Sequence, residues 1–181
     1  MPLLEKVTVT TLEMTEPEQL RPADPVPEAE LQLVEAAEPS PELARWLYGT
    51  VGHDWYWTER TVWTLERWDR WLHEAHVRTW LASHRGTPAG YFQLAFQDDG
   101  AVEIAYFGFL PQFVGRGWGG WLLTVATRQA WWQGATRVWL HTCTLDHPAA
   151  LPNYRRRGFT IVDEKQELRE LGRRQAEEEP D

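Results

Sequence analysis

Gly115, Gly117, Gly119 and Gly120 fall within the short run Val114-Gly115-Arg116-Gly117-Trp118-Gly119-Gly120, where a β-branched and aromatic stretch gives way to a helical pattern. Each glycine placed in a helix costs roughly 0.5–1 kcal/mol relative to alanine. Concentrating them at a strand-to-helix junction makes sense where another group must approach the backbone closely. The first turn of a helix also carries unpaired N–H groups and positive dipole potential, which together bind phosphate. The segment therefore predicts a phosphate-binding loop or, more plainly, a tight turn between strand and helix.

Gly115, Gly117 and Gly120 also satisfy G-x-G-x-x-G, the dinucleotide fingerprint. Its surroundings argue against that reading. The fingerprint closes the first strand of a parallel βαβ unit and is followed about twenty residues later by an acid. Here the loop lies deep in the chain behind hairpin-spaced strands, and Arg137-Val138-Trp139-Leu140-His141 offers no acid.

Residues 7–14 read as a strand and 31–34 as a second, with Pro22, Pro25 and Pro27 marking an extended connection between them. Ser40-Pro41 starts a helix that reaches about Tyr48, and another begins near Thr64. Between them lies the aromatic, aperiodic run His53-Asp54-Trp55-Tyr56-Trp57-Thr58-Glu59-Arg60. Strands are expected over 77–83, 90–96 and 102–109, separated by turn signals at Gly86-Thr87-Pro88 and Asp98-Asp99-Gly100. A long helix should run from about Gly117 to Gly134, with Trp118, Trp121, Leu122, Val125, Gln129 and Trp132 along one side. A strand over 137–142, a short helix over 148–157 and a strand over 159–162 complete the pattern.

That order predicts an α/β (α+β) domain with a mixed, mostly antiparallel central sheet flanked by helices, and an extra N-terminal strand segment. Residues 1–30 form a strand and Pro-rich arm, 31–168 the main domain, and 169–181 a charged tail expected to be disordered. Fraying is expected from Glu164 onward, where charge alternates.

A hydrophobic content of 43% with 12 Trp in 181 residues excludes an intrinsically disordered chain and suits one globular domain. No apolar run approaches the ~20 residues of a membrane span, and the start lacks the basic-then-apolar pattern of a signal peptide. Cys143 is the sole cysteine, so no internal disulfide forms and a cytoplasmic setting is expected. The net charge of −9 is uneven: −7 over residues 1–45, −4 over 163–181 and +2 between them. With no clustered basic face, nucleic acid is not an expected partner, and neither is a membrane.

Metal chemistry is not expected, because His73-Glu74-Ala75-His76 spaces its histidines by three, not the four of H-E-x-x-H. Ser/His/Asp and Cys/His nucleophile settings lack local support, and Cys143 reads as a small residue buried in its strand.

The glycine run resembles the Q/R-x-x-G-x-G/A motif of the GNAT superfamily of acetyl-CoA-dependent N-acyltransferases, falling on Val114-Gly115-Arg116-Gly117-Trp118-Gly119 with Val in the Gln/Arg place. Upstream, Phe107-Gly108-Phe109-Leu110-Pro111 resembles the end of the strand whose backbone pairs with the pantetheine arm. Downstream, His147-Pro148-Ala149-Ala150-Leu151-Pro152-Asn153-Tyr154-Arg155-Arg156-Arg157-Gly158-Phe159 resembles the closing motif N-x-x-A-x-x-x-Y-x-x-x-G-F, with His147 in the Asn place and Ala150, Tyr154, Gly158 and Phe159 matching. The resemblance covers about residues 31–163.

It implies a GNAT-like fold and an enzyme that moves an acetyl group from acetyl-CoA to a primary amine by direct attack. No metal takes part, and a homodimer is left open. It places Phe107, Gly108, Phe109, Leu110, Val114, Gly115, Arg116, Gly117, Trp118, Gly119, Gly120, His147, Ala150 and Tyr154 against acetyl-CoA. Tyr154 resembles the family's general acid; a phenol near pKa 10 is roughly matched to a departing alkyl thiolate. Glu103, the sole acid in an apolar strand, is the favoured base, with His147, Asp146, His141 and solvent as lesser candidates.

Arg155-Arg156-Arg157 reads as a solvated helix end, with contact to a CoA phosphate as the alternative. In this family the acceptor groove is partly built by the first helices and their joining loop. Here Trp55, Tyr56 and Trp57 beside Asp54 and Glu59 could hold an ammonium by cation–π and charge contacts, or simply pack the loop on the core. A small cationic amine is the first acceptor class, a peptide or protein amine the second. A non-catalytic acyl-CoA-binding module is the alternative to an enzyme. The acidic arm and tail then read as solubilising or substrate-facing additions.

Overall fold

The computed structural model describes residues 3–171. Fourteen elements follow one another, of which seven strands form one sheet. The strands are β1 (Leu3–Met14), β2 (Gln32–Ala36), β3 (Val77–His84), β4 (Thr87–Phe96), β5 (Ala101–Phe109), β6 (Arg137–Cys143) and β7 (Thr160–Leu171). The helices are α1 (Pro41–Gly52), α2 (Leu65–Glu74), α3 (Gly119–Trp132) and α4 (Ala150–Arg156). The sheet order is β2-β3-β4-β5-β6-β1-β7, antiparallel throughout except for β5 beside β6. This is the mixed, mostly antiparallel sheet flanked by helices that the element order predicts.

Local chemistry sets the helix starts. Ser40 Oγ accepts from the Leu43 N–H at 3.1 Å ahead of Pro41, and Thr64 Oγ1 accepts from the Arg67 N–H at 3.3 Å. Strand alternation then divides the core. Val77 and Ala95, register partners, join Ala44, Tyr48, Trp68 and Leu72 of α1 and α2. Trp80 and Phe92, an odd number of residues away, face the other side and stack at 5.0 Å in the larger cluster with Leu122, Leu123 and Ala126 of α3.

Trp68 is fully buried and meets Tyr48, Trp63 and Trp71 at ring distances of 5.1–5.8 Å. Its truncation leaves a large void under α2, so Trp68→Ala should lose about 3–5 kcal/mol of unfolding free energy in urea titration. A loss within error of zero would show that α2 does not depend on this contact.

Two differences from expectation concern the chain ends. The N-terminal strand is not peripheral: β1 lies between β6 and β7, pairing Val9 with Cys143 and Met14 with Val138. The last strand does not stop at Val162 but continues to Leu171 against β1, so the alternating charges of 164–171 belong to an edge strand exposed on both faces rather than to a frayed end. The rest of the expected tail, 172–181, lies outside the described residues.

Candidate active site

β5 and β6 pair over only three positions, Ala101–Arg137, Val102–Val138 and Glu103–Trp139. Immediately beyond, β5 carries an extra residue: Gln93 of β4 faces Tyr106 and Leu94 faces Ile104, which leaves Ala105 as a bulge. A bulge bends its strand and raises its twist, and from here the two strands diverge. The gap between them is a cleft of about 680 Å³, lined by β5 from Ile104 to Phe109, by β6 from His141 to Cys143, and by the glycine run and α4.

The glycine run closes one end. Gly115 and Gly117 have φ of +85° and +79°, conformations that side chains resist, and a Cβ on either would meet nothing within 4 Å. α3 begins at Gly119 with Trp118 as its N-cap and no side chain capping it, so its first N–H groups face the cleft without an internal partner. Val114 is exposed, and Arg116 lies over the Phe113 and Trp118 rings at 4.9 and 5.2 Å. All seven residues from Val114 to Gly120 line the cleft, as do Phe107, Gly108, Phe109, His147, Ala150 and Tyr154. Leu110 does not; it is buried, and its N–H donates to the Ala89 carbonyl at 2.8 Å. Gly108 is fixed by packing, since a Cβ there would meet Val51 Cγ1 at 2.7 Å.

Titratable groups gather where the strands part. His141 lines the cleft, and its Nδ1 lies 3.4 Å from Glu103 Oε1. Glu103 itself is not at the cleft; it sits one step behind, in the last paired position of β5. The hydrogen bond to Glu103 raises the His141 pKa above its ordinary 6.5, against an opposing desolvation. Tyr154 is buried against Phe107 and Phe159, and burial, reinforced by the Asp146 charge, holds its phenol well above the ordinary 10.0. Asp146 accepts from Thr142 Oγ1 at 2.5 Å, the Cys143 N–H at 3.0 Å and Trp57 Nε1 at 3.2 Å. Its carboxylate thus ties the loop after α1 to the loop before α4. His147 Nδ1 accepts from the Ala149 N–H at 3.0 Å, and its ring meets Trp55 edge-on at 4.7 Å. Cys143 is half-buried, and burial pushes its thiol upward, away from thiolate character.

The aromatic loop supplies the other wall. Trp55, Tyr56, Trp57 and Glu59 line the cleft with Tyr48 and Tyr106, and Trp57 packs against both tyrosines at 5.6 and 5.1 Å. Asp54 does not reach it; its carboxylate pairs with His53 at 3.1 Å on the exposed side of a short 3-10 turn. Glu59 instead meets Arg169 of β7 at 3.7 Å across the mouth. Deeper in, the cation among the rings is the chain's own: Arg60 lies 4.3 Å from the Trp63 ring, 4.1 Å from Trp71 and 5.0 Å from Tyr106.

Arg169, Tyr48, Tyr106 and the arm residues Pro22, Ala23 and Asp24 also line the cleft, and sequence reasoning did not place them there. The contribution of Arg169 and of the arm residues depends on β7 and the arm folding back, for which no local motif exists, whereas Tyr48 and Tyr106 come from α1 and β5. Of the three adjacent arginines, Arg155 and Arg156 are exposed and Arg157 is half-buried, and both Arg156 and Arg157 line the cleft. Among the described residues, no group of three His, Cys, Asp or Glu side chains could hold a metal ion, and no helix is long and apolar enough to cross a membrane.

Comparison with known structures agrees with this fold. A GCN5-related N-acetyltransferase from Kribbella flavida is similar at 24% identity and a TM-score of 0.61, over 96% of this chain and 62% of that one. A GCN5-related N-acetyltransferase from Sphaerobacter thermophilus is similar at 20% identity and a TM-score of 0.65, over 94% of this chain and 53% of that one. The chain therefore spans between half and two thirds of the length of these larger proteins. An aminoglycoside acetyltransferase from an uncultured soil metagenomic sample, in complex with sisomicin, is similar at 15% identity and a TM-score of 0.56, over 69% of this chain and 85% of that one. No curated protein matches. The family model for acetyltransferases of the GNAT type matches residues 39–159, a span that takes in α1 and α2, the bulged β5, the glycine run and Tyr154, and the chain belongs to that family.

Proposed function

We propose that this chain transfers an acetyl group from acetyl-CoA to a primary amine by direct attack within a ternary complex. The observation that carries the reading is the convergence in one cleft of an anion-accepting helix start, an unpaired strand edge, a histidine backed by a carboxylate, and a buried tyrosine. The cleft fits acyl-CoA in two respects. Open space in front of Gly115 and Gly117 lets a phosphate approach the backbone, and Arg157 Nε is buried without a partner at the same end. When bound, acetyl-CoA supplies the activated thioester.

The chain's own groups then have separate tasks. The N–H groups of Gly119 and Gly120 at the start of α3 and the Arg116 guanidinium hold phosphate charge, while the free edge of β5 up to Phe109 orients the pantetheine chain. His141 takes the proton of the amine acceptor, with Glu103 holding its Nδ1 and leaving Nε2 as the accepting nitrogen. Glu103 acts through His141 rather than on the acceptor. Tyr154 keeps its proton through the working pH range and donates it toward the departing sulfur. The Asp146–Trp57 hydrogen bond keeps the aromatic wall against this site.

A small cationic amine suits the acceptor side: the rings of Tyr48, Trp57 and Tyr106 line it, and Glu59 lies at the mouth with Arg169 as its present partner. The soil-sample protein of similar fold acts on an aminoglycoside, a molecule of this kind. The test is incubation with acetyl-CoA and a panel of primary amines, read as acetyl mass gain on the acceptor. Acetylation of at least one polar or cationic amine is expected. CoA binding with no acetylated amine across the panel would make the chain a binding module instead.

A neutral imidazole is required to accept a proton, and the His141 pKa is raised. The rising limb of kcat/KM against pH should therefore lie above 6.5. Glu103→Gln removes the hydrogen bond that stabilises the imidazolium, so the limb should move to lower pH. An unmoved limb would show that Glu103 does not tune the base.

A further inference from the structure

The first position of the glycine run is Val114, which has no charge to offer a phosphate. We propose that Arg157 at the end of α4 supplies that charge and is a phosphate-binding residue of the cleft, held in place by the N-terminal arm; this rests on the acyl-CoA reading above. Arg157 differs from its two neighbours. Arg156 and Arg157 both line the cleft, but Arg155 and Arg156 are exposed whereas Arg157 is half-buried. A Cβ on Gly120 would lie 3.2 Å from Arg157 Nη1, so the guanidinium rests against the first turn of α3. Its Nε is buried and has no hydrogen-bond acceptor. A buried donor without an acceptor is costly, and two positive features side by side repel until an anion arrives between them.

The arm fixes this geometry. The Arg21 N–H donates to the Arg157 carbonyl at 2.9 Å, and the Ala23 N–H donates to Thr124 Oγ1 of α3 at 3.0 Å. Gly158, at φ +102°, packs so closely on the Gln19 carbonyl that no side chain fits. Arm, α3 and α4 are thus sewn together around one guanidinium. Asp24 of the arm lines the same cleft but is exposed, and it is the carboxylate an incoming phosphate would have to tolerate. A planar fork is suited to phosphate because two N–H groups can donate to two oxygens at once.

The test uses calorimetric titration of the full chain with CoA, 3′-dephospho-CoA and pantetheine. Arg157→Gln should weaken CoA roughly 10- to 100-fold and leave pantetheine unchanged, while Arg155→Gln should change neither. A loss equal for CoA and 3′-dephospho-CoA assigns the contact to the pyrophosphate; a loss confined to CoA assigns it to the 3′-phosphate. Either supports the proposal. Wild-type affinity for CoA in Arg157→Gln, or an equal loss for pantetheine, overturns it. Should Arg157→Gln fail to fold, Arg157→Lys carries the same comparison, because an ammonium keeps the charge but not the fork. A wild-type protein that binds no CoA would overturn the acyl-CoA reading itself, a result distinct from the failure of Arg157 alone.

Discussion

Tyr154→Phe should lower kcat by roughly 100-fold or more, the usual worth of a positioned proton donor, with CoA affinity close to wild type. The substitution removes one oxygen from a side chain packed between Phe107 and Phe159, so the ring contacts and the end of α4 stay in place. Burial holds the phenol pKa well above 10.0 and keeps the proton on it at every working pH. The variant should therefore lose rate without losing a pH limb. The loss should shrink for acyl thioesters whose thiols are more acidic, because a better leaving group needs less help. Single-turnover assays at saturating acetyl-CoA separate this from slow product release. An unaltered chemical step would place Tyr154 among the packing residues and leave the donor elsewhere.

His141→Gln is the second large effect. Its loss of kcat/KM should fall in the roughly 10²–10⁴-fold range for a general base, and the rising limb above 6.5 should disappear instead of shifting. The ring is half-exposed in the cleft, so its removal opens no core cavity. Glu103→Gln retains an imidazole at reduced pKa and should be the milder variant, which inverts the ranking expected if Glu103 were itself the base. An equal loss in both variants would point to Glu103 acting directly on the acceptor. Measuring the two side by side across pH makes the assignment.

How much of this was legible beforehand depended on the range of the interaction. The glycine run was readable because its cause is local: Gly115 and Gly117 hold positive φ at a strand-to-helix turn, and few residues other than glycine do so cheaply. The hairpin strands β3 to β5 and helices α1 to α3 were readable from period and caps. The bulge at Ala105 that opens the cleft left no sequence signal, because it is set by register against β4. β1 was recognisable as a strand, but its insertion between β6 and β7 pairs residues more than a hundred positions apart. β7 was missed past Val162 because an edge strand exposed on both faces shows charge alternation without an apolar face.

The proposed acid–base residues show the same division. Glu103 stood out as the one acid in an apolar strand, and that isolation does reflect a special partner, His141, rather than a place in the cleft. Asp54 was credited for its position beside Trp55, yet the 3-10 turn directs it to His53. Arg157 could not be told from Arg155 and Arg156 by sequence, since only the arm's grip on Gly158 distinguishes them. The charge asymmetry along the chain also gains meaning. The near-neutral middle holds the glycine run and Tyr154, but the acidic arm is structural where it crosses α3 and α4 and not merely solubilising.

The central claim, that the gap between β5 and β6 is the acyl-CoA site, is most directly tested by amide hydrogen exchange with and without CoA. Protection is predicted at Gly115 to Gly120 and along β5 from Ile104 to Phe109, where the strand edge facing β6 has no partner strand. β2 and β3 should exchange as before. Protection confined to other segments, with the glycine run and β5 unchanged, would contradict the account.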